Sequence, residues 1–352
     1  MRGRVKITDI ATELGVSPST VSRALSNGGR ISQQTRQAVL DLAEKWGYKP
    51  NPFAVNLLKK QSRNIGLILP EFTHHYFSKV LDGVNRVVNE HGYHLFINTH
   101  EGDYHKEVKA VNMLNNMRVD GIIASYARGT SDFNHFLDAI EDNVPVVFVD
   151  RMCEDLDTSY VVTDDFPGSV ESVRHLVNTG CQKIVHIAGP ENLSTSFNRL
   201  TGYKEGLKQE GVLVQDKYIL KSEDPNWKES LEFLIAENDV DAITCFTDYL
   251  AFEAVEILKR YGKSVPNDVS VVGFADEPVA TYMTPALTTV VQPAEAMGRR
   301  AAELLLWHIE NPDSPEVHSE CLPTAMIERG STLQTRPQRS FDELISVLKS
   351  AS

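Results

Sequence analysis

The stretch ITDIATELGVSPSTVSRALS, residues 7–26, carries two short apolar periodicities of helical spacing. Ile7, Ile10, Ala11 and Leu14 fall on one face of a first helix, with Thr8 as its expected N-cap. Gly15 ends that helix, because the turn needs a left-handed residue, and Val16 can plug the gap. Ser17 and Pro18 restart the chain. The serine caps, and the proline takes the first helical position, where its missing N–H is harmless. In the second helix Val21, Ala24 and Leu25 face inward, while Ser19, Thr20, Ser22 and Arg23 face outward. Two short helices about a glycine turn predict a helix-turn-helix. A third helix is expected over 32–46, with Ala38, Val39, Leu42, Ala43 and Trp46 on its inner face and Gly47 closing it.

Outward from this head, charge divides the chain. Residues 1–63 hold 11 Lys/Arg against 4 Asp/Glu, a balance of +7, whereas residues 64–352 hold 24 against 44, a balance of -20. A basic head can neutralise phosphates while an acidic body stays away from them. At 352 residues the chain is too long for one ordinary core, and two or three domains are expected. The basic N-terminus has no apolar run behind it, and the longest apolar runs, such as 144–149, are far short of a membrane span. Four widely spaced cysteines, Cys153, Cys181, Cys245 and Cys321, read as reduced thiols. A cytoplasmic protein without membrane contact is the expectation.

In the body, short apolar runs recur: IGLILP from 65, HLFINT from 94, GIIASY from 121, VPVVFVD from 144, KIVHIAGP from 183, DAITCFTD from 241 and VSVVGFAD from 269. Parallel strands buried on both faces read this way. They alternate with helical stretches such as 77–91 and 249–261, which predicts an α/β doubly wound architecture.

The strings ITDIATELGVSPSTVSRALS, YKPNPFAVNLL and NIGLILP together resemble the lactose-repressor (LacI/GalR) family of transcription regulators, over residues 5 to about 335. The resemblance implies an all-α helix-turn-helix head, residues 1–49, a hinge helix over 50–62, and a periplasmic-binding-protein-like core of two doubly wound subdomains over 63–340. The first subdomain would comprise 63–161 and 292–321, the second 162–291 and 322–340, leaving a tail of 341–352. The partners so implied are double-stranded operator DNA and a small-molecule effector, a carbohydrate, bound by a homodimer.

The resemblance places the second helix in the major groove, with Pro18, Ser19 and Arg23 toward base edges and Thr8, Ser17, Thr20, Ser22 and Asn27 completing the contact set. Arg23 can read a guanine, since its planar fork matches O6 and N7; the alternative is a phosphate contact. Pro18 offers only apolar contact where other members carry longer polar or aromatic residues. In the hinge, Asn51 can cap a short helix with Pro52 in its first turn, and Ala54, Leu57 and Lys59 are the implied contacts. Leu57 matches the leucine that wedges a base step in the minor groove. A helix this short is unstable alone, and an apolar residue on it has no core to join. Val55 stands where members often carry arginine, and Lys59, Lys60 and Arg63 can compensate.

For the effector, polar residues collect at the expected strand ends: Ser125, Asp150 with Arg151, Asp164 with Asp165, Asp248 and Asp276, with Arg199 a further candidate. Arg199 corresponds to the family's cleft arginine, and Tyr76 and Phe77 to loop residues that stack on ligand. Arginine, carboxylates and an aromatic platform suit a sugar. Asp164 and Asp165 could equally cap a helix or form a crossover ion pair. GFADEP, from 273, has Ala275 where the family often has a ligand-touching acid or amide. Trp227 reads as an ordinary partly buried tryptophan rather than a cleft wall.

No cofactor, metal or catalytic residue is expected. The chain has no G-x-S-x-G, P-loop or H-E-x-x-H motif, and His74, His75 and His91 lack metal-like spacing. A transporter's solute-binding protein would share the body but not the basic head. A regulator answering to a protein partner instead of a small ligand remains the alternative. The tail from 340, with Phe341, Leu344, Ile345 and Leu348 on one face, is short for a coiled coil.

Overall fold

The computed structural model describes residues 5–26, 31–48, 61–153 and 155–333. The hinge contacts Ala54, Leu57 and Lys59, the head residue Asn27 and the tail 341–352 lie outside them. The chain divides into two compact units, Met1–Arg63 and Asn64–Ser352.

The first unit holds three helices among the described residues, α1 Ile7–Glu13, α2 Pro18–Leu25 and α3 Gln33–Lys45. Ile10, Val21 and Val39, each fully buried, meet at the centre with Ala11, Ala24 and Ala43. Burial of each large side chain contributes roughly 1.5–3 kcal/mol. Leu42 and Trp46 pack beside this core, but Ala38 is exposed, one step off the buried stripe. Ser17 caps α2 and Ser32 caps α3, each accepting from the amide three residues on at 3.1 Å. The cap of α1 differs from expectation. The helix begins at Ile7, and Asp9 accepts the Lys6 N–H at 2.8 Å, so Thr8 lies inside the first turn. Gly15 takes φ +63° in the turn between α1 and α2.

The second unit follows a strand–helix alternation: β1 Asn64–Leu69, α4 His75–Glu90, β2 His94–Thr99, α5 Tyr104–Asn116, β3 Gly121–Ala124, α6 Asn134–Glu141, β4 Val146–Val149 and β5 Ser159–Asp164. The chain then crosses to a second set: α7 Asp165–Asn178, β6 Ile184–Ala188, α8 Ser194–Gln209, β7 Ile219–Lys221, α9 Trp227–Ala236, β8 Ala242–Cys245, α10 Asp248–Arg260, β9 Ser270–Phe274, α11 Val279–Tyr282 and β10 Thr288–Val291. It returns through α12 Ala294–Glu310 to β11 Ser319–Pro323, and ends on β12 Ala325–Ile327. Two sheets result, ordered β2-β1-β3-β4-β5-β11 and β7-β6-β8-β9-β10-β12. The first is parallel throughout, and in the second only β12 runs antiparallel, against β10.

Each of the seven apolar runs forms a strand. β3, β4, β8 and β9 are buried along their whole length, but β2 is an edge strand and leaves Ile97 exposed. The crossings fall at 164–165, 292–293 and 324, because β5 keeps pairing through Asp164 and β11 through Pro323. The first crossing is thus three residues later than expected. α4 and α12 pack backbone to backbone on the first sheet. A Cβ on Gly298 would stand 2.0 Å from the Val80 carbonyl oxygen, and one on Gly83 would stand 2.1 Å from that of Glu295. Trp227 belongs to the apolar core of the second sheet.

Candidate functional site

Two surfaces are built to meet something. The first is the outer face of α2. Pro18, Ser19 and Arg23 are exposed, and Thr20 and Ser22 are half-buried at its margins. Pro18 opens the helix because Ser17 takes the cap, and the Ser17 hydroxyl also lies 2.8 Å from those of Ser19 and Thr20. The N-terminal turn therefore presents a small hydroxyl cluster. Arg23 has no ion-pair partner among the described residues, so its fork is available to a phosphate or a base edge. Thr8 is exposed on the first turn of α1.

The second surface is a cleft of about 320 Å³ between the two sheets of the larger unit. Its walls are the segments that leave the C-terminal ends of strands: Pro70 and Glu71 after β1, Glu101 and Gly102 after β2, Arg128 after β3, Asp150 and Arg151 after β4, Thr247 after β8, Ala275 and Glu277 after β9 and Gln292 after β10. A parallel sheet leaves its loops and helix N-termini at that end, so ligands gather there.

Arg199, on α8, is 4% exposed and held on four sides. Its Nε donates to Asp165 at 2.8 Å and its Nη1 to the Phe246 carbonyl at 2.5 Å. Its guanidinium carbon stands 3.8 Å from the Phe274 ring centre and 4.6 Å from that of Phe246. Asp165, at the first crossing, also accepts from Thr163 at 2.6 Å and from Gln292, at the second crossing, at 3.3 Å. The chain crossings thereby anchor the arginine. Burial pushes the Asp165 carboxyl up, while the Arg199 charge and the Thr163 hydroxyl pull it back.

On the opposite wall, the Tyr76 hydroxyl donates to Asp150 at 2.8 Å, and burial raises that phenol well above its ordinary value. Phe77 meets the Tyr76 ring edge to face at 5.0 Å. Glu277 ties the two walls together. Its carboxylate accepts the N–H groups of His75 at 3.0 Å and Tyr76 at 3.3 Å, at the start of α4, and the Tyr249 hydroxyl at 3.4 Å. His74 stacks on Tyr249 across the same gap, ring centres 4.4 Å apart. Ala275 and Asp276, before Glu277, both take positive φ, +114° and +56°. Such strain persists only where neighbours enforce it. Asp276 pairs with Arg329 at 2.7 Å, and Asp248 accepts the Glu277 N–H at 2.7 Å.

The sequence candidates therefore separate. Tyr76, Phe77, Asp150 and Arg199 line the cleft. Ser125 is fully buried behind it, 3.4 Å from Asp150. Asp164 is exposed at the N-cap of α7, away from the cleft wall. Asp248 is fully buried, with both oxygens occupied by Thr289 at 2.6 Å and the Glu277 N–H, so it positions Glu277 and does not face the cavity. Asp276 is turned to Arg329. Arg151, read beside Asp150, also lines the cleft, and the sequence reading missed Arg128, Tyr249, Glu277 and Gln292. Glu277 follows directly on the GFAD string, but nothing local reveals that it reaches residue 75.

Known proteins resemble the chain in both of its units. Residues 6–51 match the bacterial regulatory proteins of the lacI family, and residues 173–332 match the periplasmic binding protein-like domain. The chain is 32% identical over 336 residues to the ribose operon repressor of Bacillus subtilis strain 168, covering 93% of this chain and 98% of that protein. The chain belongs to the LacI family. It is a DNA-binding transcriptional repressor and not an enzyme. A second relative of this LacI-family protein is the transcriptional regulator DegA of the same organism, 31% identical over 298 residues, 84% of this chain and 88% of that one. Among solved structures, a complex of the regulator CelR with cellobiose superposes with a TM-score of 0.69 at 28% identity, over 93% of this chain and all of that one. The lac repressor dimer bound to operator and an anti-inducer shares the fold, with a TM-score of 0.77 at 24% identity, over 94% of this chain and all of that one. Among the described residues no helix is long and apolar enough to cross a membrane, and no group of three or more His, Cys, Asp or Glu could hold a metal ion.

Proposed function

We infer that this repressor binds an inverted-repeat operator as a homodimer through the outer face of α2, and that a sugar or sugar derivative in the cleft sets its affinity for that operator. The observation that carries this reading is the cleft. Arginines, carboxylates and aromatic rings from the strand ends of both sheets surround a volume suited to a small polar ligand. Relatives support the ligand class. The CelR structure holds cellobiose, and a LacI-type regulator of Alkaliphilus metalliredigens, 26% identical with a TM-score of 0.67, holds D-xylulofuranose. A ligand can change operator affinity only if it binds the two arrangements of the subdomains differently. Side chains from both walls line the cleft, so a ligand there can distinguish the two arrangements.

Two recognition helices on a two-fold axis require matching half-sites, so footprinting on a selected sequence pool should show an inverted repeat of roughly 14–20 base pairs. Protection of a single asymmetric site by one monomer overturns the dimer reading. Arg23→Ala should relax preference at one base pair and cost roughly 1–3 kcal/mol on the operator. An equal loss on every sequence would make Arg23 a phosphate contact. Titrating a sugar panel into the operator complex tests the effector. The Leu57 wedge, the hinge over 50–62 and the contacts of Asn27, Ala54 and Lys59 rest on the resemblance.

A further inference from the structure

We propose that the effector is an anion, a polyhydroxy compound bearing a carboxylate or a phosphate, and that Arg128 with Arg151 receives the charged group. The proposal rests on the reading of the cleft as the effector site. It comes from which polar groups along the walls still have hydrogen-bonding capacity to spare.

Every carboxylate that lines the cleft already has a partner. Glu71 lies 3.1 Å from the His74 ring and accepts the Thr73 hydroxyl at 2.6 Å. Glu101 pairs with Lys106. Asp150 accepts from Tyr76 and Ser125, and Glu277 takes the amides at the start of α4. Two of the three arginines keep donors to spare. Arg199 is spent on Asp165 and the Phe246 carbonyl. Arg128 has no ion-pair or hydrogen-bond partner among the described residues. Arg151, 8% exposed, donates Nη1 to the Tyr126 carbonyl, but its buried Nε makes no hydrogen bond and lies 3.4 Å from Asp150, an oxygen pair already shared by two hydroxyls. One guanidinium without a partner among the described residues and one poorly compensated neighbour thus stand on one wall.

Arg128 is held there by the turn after β2. A Cβ on Gly102 would stand 3.0 Å from the Arg128 Nε and 3.3 Å from its Cγ, so the arginine stem lies flat on the Gly102 backbone. That backbone has φ +77°, where a side chain is strained as well as obstructed. His100, fully buried, fixes the turn. Its Nδ1 accepts the Gly102 N–H at 3.0 Å and its Nε2 lies 2.8 Å from the Ser125 carbonyl, an arrangement that requires the neutral ring with the proton on Nε2. Arg128 is itself exposed, but it lines the concave cleft beside the buried Arg151, and a guanidinium fork placed there favours an oxyanion over a neutral hydroxyl. The charge-assisted bond is about twice as strong, and a planar anion takes two of them.

Calorimetry on the full-length protein tests this with matched probes: glucose, gluconate and glucose 6-phosphate, and ribose beside ribose 5-phosphate. The expected result is that one acid or phosphate binds at least about tenfold more tightly than its neutral parent. In Arg128→Gln that ratio should fall to near one, and Arg128→Lys, which keeps the charge without the fork, should recover part of it. Melting curves of each variant show that the fold is retained. The carboxylate and phosphate arms distinguish the two sources of charge. A neutral parent that binds as tightly as its charged counterparts overturns the proposal, as does an unchanged ratio in Arg128→Gln. If no probe binds while operator binding persists, the effector reading itself fails, and the charge assignment with it.

Discussion

Asp248 shows how a residue at the right strand end can serve the site without touching the ligand. Burial pushes its carboxyl up to about 6, although the Thr289 hydroxyl and the Glu277 N–H pull it down. A carboxyl that holds its proton more tightly in the native state stabilises the fold below its ordinary value of 3.8, and that contribution is lost as the pH rises through about 6. Asp248→Asn keeps the shape: its oxygen can accept the Glu277 N–H and its amide can donate to Thr289. Relative to the parent it should gain on the order of 2–3 kcal/mol between about pH 4 and pH 7. Urea titrations at the two pH values measure this, and a constant difference contradicts it. Arg199 makes the opposite point. Asp165 is 1% exposed, so Arg199→Ala leaves a buried carboxylate without its counter-charge. The expected cost is roughly 3–5 kcal/mol of stability, beyond any loss of effector response. Adding Asp165→Asn should restore part of the melting temperature; a single variant that melts like the parent would falsify the assignment of Arg199 as an anchor.

At the scale of elements, the N-terminus of α4 is the joint between the subdomains. Its first amides donate to Glu277, which arrives from the end of β9. A carboxylate suits that place, since the helix start carries unpaired N–H groups and a partial positive charge. Glu277→Gln removes the charge and turns one donor toward an amide that also donates. The His75 and Tyr76 amides should then exchange with solvent about tenfold faster, as the walls part more often. Hydrogen exchange reads this directly, and unchanged protection at both positions would show that the joint does not depend on Glu277. The cap of α2 was legible as Ser17, whereas Ser32, read as the first residue of the third helix, is its cap. The cap of α1 was not legible. Thr8 and Asp9 are both plausible N-terminal residues, and the choice depends on where Ile7 must sit to reach the core beside Ile10.

At the scale of the whole molecule, charge is divided between the two units, +7 in residues 1–63 and -20 in residues 64–352. Binding to an operator should therefore weaken steeply with salt, since several phosphate counterions are displaced by the head alone. Operator affinity measured across a salt series should give a log–log slope steeper than about -2; a shallower one would contradict the electrostatic account. The acidic body has a second consequence. An anionic effector approaches an unfavourable net field, so its recognition must come from the local arrangement of Arg128 and Arg151 in the cleft and cannot come from long-range attraction.

The sequence by itself determined the elements whose signals are local. The helix-turn-helix follows from the spacing of Ile10, Val21 and Ala24 about Gly15, and seven of the strands follow from unbroken apolar runs. The edge strands β7, β11 and β12 bury little and carry no such run, and the interior strands β5 and β10, rich in Ser and Thr, also escaped. Tertiary structure alone decided which polar residues share the cleft. Asp150, Arg199 and Asp248 all stand at or near strand ends, yet the first two face the cavity while Asp248 is turned inward to Thr289. Glu277 meets His75 across 202 positions of sequence, and Arg128 meets Gly102 across a sheet. Periodicity reports the environment of a residue along its own helix or strand. Which groups converge from separate strands is fixed by how the two sheets are wound and packed, and that information is not local.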